Sequence, residues 1–214
     1  MDDVTRSAET ARTGTPKAPP RLDFQDHLAD LEARGLLVRI DHPVNKDTEL
    51  HPLVRLQFIG GIPEAERRAF LFTNVVDGAG KRYDIPVVVG AIAASAQIYA
   101  LGMGCGVDEI GQAWLDAINH PVAPVRVTSA PCQEVVITGD ALRGADGGLK
   151  RLPVPVSTPG FDSAPYLTAT LCVTRIRRPG CRTWAPIGPL SRRPTAWSCA
   201  WWRGRAVPGV TFIG

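Results

Sequence analysis

The last 39 residues differ in composition from everything before them, and this break limits what the chain can fold into. Ile176–Gly214, here named the Arg/Trp tail, holds four of the five Trp, seven Arg and no Lys, Asp or Glu. The residues before Ile176 therefore carry a charge of about −4 and the tail carries +7, so the net charge of +3 arises in the tail. No helical or alternating apolar period runs through it. The sequence predicts that the Arg/Trp tail has no face to bury and is disordered.

A shift of the reading frame accounts for this composition. Arg, Pro, Gly, Ala and Trp are the residues that GC-rich codons give when they are translated out of frame. If one base is restored after the Arg175 codon, the next codons can encode Asp-Pro-Glu-Thr-Gly and then, after a short gap, Asn-Met-Gly-Thr-Tyr-Arg. The first base of each restored codon is a free choice, so the restored sequence is partly selected. We predict that residues 176–214 are an out-of-frame tail.

Residues 21–120 have the pattern of an α/β domain. Apolar residues that recur every three or four positions predict helices, and short β-branched or aromatic runs between turn residues predict strands. The predicted helices are Asp23–Arg34, a second with the face Leu50, Leu53, Val54 and Gln57-Phe58, a third over Ala91–Leu101 that stops at Gly102, and a fourth that Asp108 caps and whose buried stripe is Ile110, Trp114, Ala117 and Ile118; the predicted strands are Leu36–Ile40, Phe70–Phe72 and Val87–Val89.

In residues 121–175 the pattern changes to short strands that alternate with turns, which is typical of the first part of a barrel or sandwich. The fourth of these strands is the last interpretable element, so we expect it to have an unpaired edge. Residues 1–20 contain almost no large apolar side chain, and we expect a disordered arm that is not a secretory signal. The predicted strands of residues 121–175 are Val125–Thr128, Glu134–Ile137, Pro153–Val156 and Tyr166–Thr174.

Candidate chemistry is sparse. The four His have no ligand spacing, which favours surface or capping roles over a metal or acid–base role. The five Cys have no paired metal spacing, which favours idle thiols in a reducing cytoplasm, and neither Cys105 nor Cys132 has a partner motif that would make it a nucleophile. Gly102–Gly106 follows a helix rather than a strand, so a connecting loop is favoured over a dinucleotide loop. The His are His27, His42, His51 and His120, and the Cys are Cys105, Cys132, Cys172, Cys181 and Cys199.

The basic and aromatic residues of the tail also fit a nucleic-acid patch, because such residues suit phosphates and bases. The frameshift explains the same residues better. No stretch approaches the roughly 18 consecutive apolar residues of a membrane span. We therefore expect neither a nucleic-acid partner nor a membrane span.

Several separated stretches resemble the UbiD family of decarboxylases, which use prenylated FMN. The match covers Leu22–Arg175, and the restored Asn-Met-Gly-Thr-Tyr-Arg resembles what the family carries after the last matching strand. It rests on four segments in the family's order and spacing: DFQDHLADLEARGLLVRIDHPVNKDTELHPLVR, RAFLFTNVVD, YDIPVVVGAIAAS and PVPVSTPGFDSAPYLTATLCVTR.

The resemblance implies an α/β N-terminal domain followed by the first strands of a flavin-reductase-like split β-barrel, which is incomplete here. It also implies loss of CO2 from an aromatic or α,β-unsaturated acid that joins the flavin covalently. In the intact family the cofactors are prenylated FMN, a divalent Mn or Mg ion and K, and a homo-oligomer is expected. Thr168, Ala169 and Thr170 are the possible cofactor-pocket residues that remain.

The family's functional residues are absent from this chain. The family's Asn, which binds the metal, would stand where the chain has Arg182-Thr183, and its Tyr-Arg pair would stand at Pro186-Ile187-Gly188. The metal ligands and acid–base carboxylates that lie later in the family have no counterpart. We therefore expect no catalytic or metal-binding residue and no bound cofactor. Two interpretations remain: a UbiD-type carboxy-lyase by ancestry that is truncated and inactive, and a non-catalytic interaction or flavin-binding module.

Overall fold

The computed structural model describes residues 23–122, 127–130, 133–144, 146–165 and 167, and the backbone of five strands between residues 171 and 211. Its first hundred residues form two small mixed sheets with four helices. The helices are α1 (Phe24–Ala33), α2 (Leu50–Ile59), α3 (Ala96–Met103) and α4 (Ile110–Asn119); the strands are β1 (Leu37–Ile40), β2 (Val44–Asn45), β3 (Ala69–Phe72), β4 (Val75–Val76), β5 (Arg82–Tyr83), β6 (Val87–Val89), β7 (Leu171–Ile176), β8 (Arg182–Pro186), β9 (Pro189–Arg193), β10 (Ala196–Cys199) and β11 (Val210–Thr211).

The two N-terminal sheets are built in the same way. In the first, β3 lies between β1, to which it is parallel, and β6, to which it is antiparallel. In the second, β4 lies between the parallel β2 and the antiparallel β5. Only Thr73 and Asn74 separate β3 from β4, so one stretch of chain supplies the central strand of both sheets.

Helix α1 shows how local sequence sets the ends of an element. The Asp23 carboxylate accepts hydrogen bonds from the backbone N–H groups of Gln25 and Asp26 at 2.7 and 3.1 Å, which satisfies donors that a helix start leaves free. The helix ends at Arg34, and Gly35 follows with a φ of 67°, a conformation that glycine adopts without steric cost. The predicted helix Asp23–Arg34 is thus confirmed, as are the second helix and the strands at 36–40, 70–72 and 87–89.

The apolar side chains form two clusters. Burying one Leu or Phe side chain contributes about 1.5–3 kcal/mol, so these clusters supply most of the stabilisation. Strand β3 contributes to both clusters, through Ala69 to the first and Phe72 to the second. The first cluster contains Leu31, Leu36, Ala69, Ala91, Ala94 and Ile98, and the second contains Val44, Leu50, Val54, Phe72, Val75 and Tyr83.

Helix α3 is shorter than the predicted Ala91–Leu101. It begins at Ala96, because the Ser95 hydroxyl caps it by accepting from the Ile98 N–H at 3.4 Å. It also runs past Gly102 and ends at Gly104, whose φ of 69° closes the helix in a left-handed cap. Small residues fit a helix or a turn equally well, so their spacing did not locate either end.

Helix α4 exists as predicted, but its predicted cap and stripe are wrong. A short 3-10 turn over Val107–Glu109 precedes it, and the side chain at this turn that bonds the backbone is Glu109, which accepts from the Gly106 N–H at 2.8 Å. Asp108 makes no capping hydrogen bond within the described residues, and no residue of α4 is buried. Trp114 and Ile118, which the sequence predicts to be buried, are 49% and 67% exposed.

The strands predicted within residues 121–165 are not formed in the described part of the chain. Val127–Thr128, Glu134–Ile137 and Pro153–Val156 have no strand pairing there, and Val125 lies outside the described residues. Pro153 and Pro155 have no N–H to donate to a ladder, and Val135 and Val136 are 77% and 73% exposed. β-branched residues favour a strand, but a strand also needs a neighbouring strand to pair with, and these segments have none among the described residues.

The predicted strand Tyr166–Thr174 is found over Leu171–Ile176; Tyr166 and Thr168–Thr170 lie outside the described residues. It is central rather than at an edge, since β8 pairs with it antiparallel on one side and β11 pairs with Arg175 and Ile176 on the other. Strands β8 to β11 lie in the Arg/Trp tail, for which the sequence predicts no regular structure. Strand pairing uses backbone N–H and C=O groups and needs no apolar period.

The described strands after residue 170 form one three-stranded sheet and one hairpin of β9 and β10, and no barrel closes among them. The division at residues 20, 120 and 175 and the out-of-frame origin of the tail stay predictions. Among the described helices, none combines the length and the apolar character that a bilayer crossing requires.

Candidate functional site

The most organised group of polar side chains lies on the β2–β4–β5 sheet. It brings together residues that are up to a hundred positions apart in the sequence. Its two Lys and three Asp surround the side chain of Tyr83, which is 9% exposed. This group is named the Tyr83 cluster and consists of Lys46, Asp47, Asp77, Lys81, Tyr83 and Asp146.

Tyr83 and Asp77 form the polar centre of the cluster. The Tyr83 hydroxyl donates to Oδ2 of Asp77 at 3.1 Å. Burial, together with this bond and the charge of Asp77, raises the pKa of Tyr83 to about 12. Burial acts to raise the pKa of Asp77 too, but hydrogen bonds from the N–H groups of Lys81 and Ala79 and from Tyr83 outweigh it, so that pKa is lowered. Tyr83 therefore remains a protonated donor and Asp77 an ionised acceptor across the neutral range.

Two ammonium groups lie near the same aromatic ring. Nζ of Lys81 is 4.9 Å from the ring centroid of Tyr83, and Nζ of Lys46 is 5.9 Å from it, both within the range of cation–π attraction. Lys46 is only 6% exposed, and its Nζ is paired with Oδ1 of Asp47 at 2.5 Å. A buried ammonium needs such a partner, because an unpaired buried charge costs several kcal/mol.

Lys81 connects the cluster to residues 146–162, here named the return segment. Its Nζ lies 2.8 Å from Oδ1 of Asp146 and donates to the carbonyl oxygen of Lys150 at 3.0 Å. Further along the segment, Val154 is 6% exposed. The return segment is thus held against the β2–β4–β5 sheet although it follows the fourth helix.

The far end of the return segment lies near α2. Oδ2 of Asp162 accepts from the Thr158 N–H at 2.6 Å, which closes a tight turn. Burial lowers the pKa of His51, and the charge of Asp162 opposes that shift. Burial therefore favours the neutral imidazole of His51, which lies in the first turn of α2.

The Tyr83 cluster has no arrangement for covalent or acid–base chemistry at neutral pH. Each ammonium faces a carboxylate or a carbonyl, and the phenol is held protonated. Such a set stabilises a fold and orients a loop rather than moving a proton. The sequence did not predict this cluster, because no spacing signal links Lys46 to Asp77 or Asp146.

The four His do not come together. His27 is buried, contrary to the prediction of a surface or capping role: its Nε2 lies 2.7 Å from the carbonyl oxygen of Ala91. His42 is exposed between β1 and β2, and His120 follows α4 with Nδ1 3.1 Å from the Asp116 carbonyl oxygen, as expected of a capping residue. Apolar spacing could not show the His27 contact, which spans 64 positions.

The glycine-rich stretch Gly102–Gly106 is the end of α3 and the connection to α4, as predicted. Cys105 in this connection is a free, partly exposed thiol. The side chain of Cys132 lies outside the described residues, so its predicted idle role stays a prediction.

The described residues do not fit a metal–flavin site. They contain no group of three or more His, Cys, Asp or Glu that could hold a metal ion. A cavity of about 540 Å³ is lined by Thr128, Ser129, Ala130, Gln133 and Glu134, a set with one carboxylate and no cation to face a phosphate. The possible cofactor-pocket residues Thr168, Ala169 and Thr170 lie outside the described residues, so that expectation stays a prediction.

A known protein family matches the N-terminal part of the chain. Residues 28–118 match the family model of the 3-octaprenyl-4-hydroxybenzoate carboxy-lyase N-terminal domain, the UbiD N-terminal domain. Residues 28–118 are thus similar to a UbiD N-terminal domain. This range runs from α1 to α4 and includes both small sheets and the first part of the Tyr83 cluster, but it stops before the return segment.

Solved structures of the UbiD class have the same fold. An evolved dimeric form of the UbiD-class enzyme HmfF from Pelotomaculum thermopropionicum, in complex with prFMN, is 26% identical with a TM-score of 0.67 over 84% of this chain. The apo 3,4-dihydroxybenzoic acid decarboxylase from Enterobacter cloacae is 27% identical with a TM-score of 0.67 over 88% of this chain. The chain covers 38% of each of these proteins.

The corresponding Klebsiella pneumoniae enzyme, AroY, is 24% identical with a TM-score of 0.67 and supports the fold alone. The chain spans 37% of its length. The resemblance deduced from the four sequence segments is therefore confirmed for the N-terminal portion of the class.

Proposed function

We propose that this chain is the N-terminal portion of a UbiD-type non-oxidative decarboxylase of aromatic or α,β-unsaturated carboxylic acids, and that the 214-residue chain is itself inactive. The proposed relationship to UbiD decarboxylases rests on the match of the UbiD N-terminal domain model over residues 28–118. The similarity to HmfF and to the 3,4-dihydroxybenzoic acid decarboxylase extends the support to 84–88% of the chain.

The chain lacks counterparts of the family's metal-binding Asn and Tyr-Arg pair, and this supports the proposal that the 214-residue chain is inactive. A metal that anchors a flavin phosphate needs a cluster of oxygen donors, and the Arg/Trp tail has no Asp or Glu. Arg182-Thr183 and Pro186-Ile187-Gly188 occupy the positions of the family's Asn and Tyr-Arg. Prenylated FMN supplies the electron sink for CO2 loss when a UbiD protein binds it.

Activity measurement tests the proposal directly. The purified chain is incubated with prenylated FMN, Mn²⁺ and K⁺, and CO2 release from 3,4-dihydroxybenzoate and cinnamic-type acids is followed, with full-length HmfF or AroY as the positive control for the assay. We expect no turnover and no flavin retained after gel filtration. Turnover above the buffer blank by the 214-residue chain would contradict the inactivity.

The frameshift has its own test. Resequencing the gene across the Arg175 codon shows whether one base is missing. If the base is restored and the downstream frame stays open, the product should carry Asn-Met-Gly-Thr-Tyr-Arg after this point and gain the ability to retain flavin. An unchanged reading of the gene, with a closed frame after restoration, would contradict the out-of-frame origin of the tail.

A further inference from the structure

The chain contains two Asp-Gly pairs, Asp77-Gly78 and Asp146-Gly147, and the Asp of each belongs to the Tyr83 cluster. In such a pair the backbone nitrogen of the Gly can attack Cγ of the Asp, because glycine has no side chain to block the approach. The nitrogen–Cγ bond forms, the Cγ–OH bond breaks, and the proton of the nitrogen leaves with the hydroxyl as water. Water then opens the cyclic imide at either carbonyl, which restores Asp or gives isoaspartate without any other reactant.

The carboxylate of Asp77 is held by three hydrogen bonds. Its Oδ1 accepts from the N–H groups of Ala79 and Lys81 at 2.9 and 3.0 Å, and its Oδ2 accepts from the Tyr83 hydroxyl at 3.1 Å. Attack by the Gly78 nitrogen needs a protonated carboxyl group that turns toward it. The three bonds favour the ionised form and fix its direction, so they protect this pair in the folded chain.

The second pair is held less firmly. The Asp146 side chain is 79% exposed, and among the residues that the structure describes only Lys81 bonds its carboxylate, at 2.8 Å. Gly147 is buried, and its N–H donates to the Gly144 carbonyl oxygen at 3.1 Å. Both contacts must open before the nitrogen can reach Cγ. An exposed ion pair is weak, and the three Gly among residues 144–148 make the loop flexible, so such openings recur.

The closed loop has no room for isoaspartate at position 146. Isoaspartate adds a methylene carbon to the backbone directly before Gly147. A Cβ placed on Gly147 would lie 2.7 Å from backbone atoms of Gly144 and Leu142, so the chain is already tightly folded on itself at this point. The carboxylate also moves from the side chain to Cα, away from the position that faces Lys81. Isomerisation therefore keeps the loop open and detaches the start of the return segment.

We propose that Asp146-Gly147 is a site of spontaneous aspartate isomerisation, which releases the return segment from the β2–β4–β5 sheet without cutting the chain. The contacts with Lys81 and Gly144 protect the pair while the loop is closed, and each opening exposes it to ring closure. Asp77-Gly78 has the same chemistry but keeps its carboxylate fixed. The site gives the fold a lasting change that needs no enzyme and no cofactor.

Ageing of the full 214-residue chain at neutral pH tests this site. Trypsin separates the two pairs, since Asp146 falls in the peptide 144–150 and Asp77 in the peptide 69–81. The isoaspartyl form has the same mass as the parent peptide but elutes separately, and endoproteinase Asp-N does not cleave before it. We expect isoaspartate to accumulate several-fold faster at position 146 than at position 77 in the folded chain. In guanidinium chloride the two rates should be similar, because Gly follows both residues and neither carboxylate is held. Equal rates in the folded chain, or no isoaspartate at position 146, would overturn the proposal.

Two variants separate the protection from the release. Lys81→Ala should speed isomerisation at position 146 about two- to fivefold, the gain that loss of a weak ion pair allows. Asp146→Glu keeps the negative charge, but its ring would be one atom larger, so this chain should stay unmodified. Amide exchange at residues 148–152 should rise between fresh and aged wild type and should not rise on ageing of Asp146→Glu. An equal rise in both chains overturns the release, and an unchanged isomerisation rate in Lys81→Ala overturns the protection.

Discussion

Nζ of Lys81 lies 2.8 Å from Oδ1 of Asp146, which joins the β2–β4–β5 sheet to a segment 65 positions later in the chain. The same Nζ donates to the carbonyl oxygen of Lys150. The UbiD N-terminal domain model ends at residue 118. The structure thus attaches a later segment to this domain through one side chain.

Lys81→Ala should loosen the return segment without unfolding the domain. Lys81 and Asp146 are 32% and 79% exposed, and an exposed ion pair contributes about 0–1 kcal/mol. We expect amide hydrogen exchange at residues 148–152 to accelerate by a factor of a few, while the thermal midpoint changes little. The neighbouring exposed Arg82→Ala is the control and should leave this exchange unchanged. Equal exchange in the wild type and in Lys81→Ala would show that Lys81 does not hold the segment.

The stability of the domain should fall as the pH drops below neutral. Burial lowers the folded-state pKa of His51 below its usual 6.5, so the unfolded chain binds more protons than the folded chain as the pH falls through 6.5. The free energy of unfolding should therefore be highest above pH 6.5 and decrease below it. Urea unfolding at a series of pH values between about 5.5 and 7.5 measures the slope.

His51→Gln is expected to flatten this pH dependence, because the titrating group is removed. His42→Gln, at the exposed His between β1 and β2, should keep the wild-type slope. If both variants retain the same slope as the wild type, His51 is not the group responsible.

Phe72→Ala should be the most damaging single truncation in the second core cluster. Phe72 is fully buried, and removing a buried Phe typically costs about 3–5 kcal/mol. Phe161→Ala, where the ring is 86% exposed, should change the free energy of unfolding by less than about 0.5 kcal/mol. Urea denaturation of both variants supplies the comparison. A loss below about 1 kcal/mol at Phe72 would contradict the assignment of the core.

The Arg/Trp tail should be more open to protease than the rest of the chain. Seven Arg without a single acidic partner oppose burial of the four Trp, since an unpaired buried cation costs several kcal/mol. Limited trypsin digestion should trim the chain back to about Arg175–Arg178 and leave the preceding body intact. Resistance of the tail to trypsin together with buried Trp fluorescence would contradict this expectation.

The sequence predicted features that depend on neighbouring residues, and it did not predict contacts between residues far apart in the chain. The ends of α1 follow from Asp23 and Gly35, and the short β-branched and aromatic runs located β3 and β6. The contact of His27 with Ala91 could not be predicted, because no sequence period relates positions that far apart. The same holds for the Tyr83 cluster, because pairing of β2, β4 and β5 brings Lys46 to Tyr83 and only Asp146 arrives with the return segment.

The errors have a common physical origin. Apolar periodicity identified α4 correctly but assumed that its stripe faces the core, and Trp114 and Ile118 are exposed instead. Val135 and Val136 favour a strand, yet a strand forms only where another backbone pairs with it. The apolar pattern therefore located helices and strands. It did not show which other elements they pack against or pair with.

The shared position of β3 and β4 has a consequence for synthesis on the ribosome. Each sheet takes its parallel strand from earlier chain and its antiparallel strand from later chain, with β3 and β4 between them. The second core cluster is complete once Tyr83 has emerged from the ribosome, whereas the first also needs Ile98. A nascent chain therefore contains every residue of the cluster around Phe72 before the cluster that includes Leu31 and Ile98 is complete.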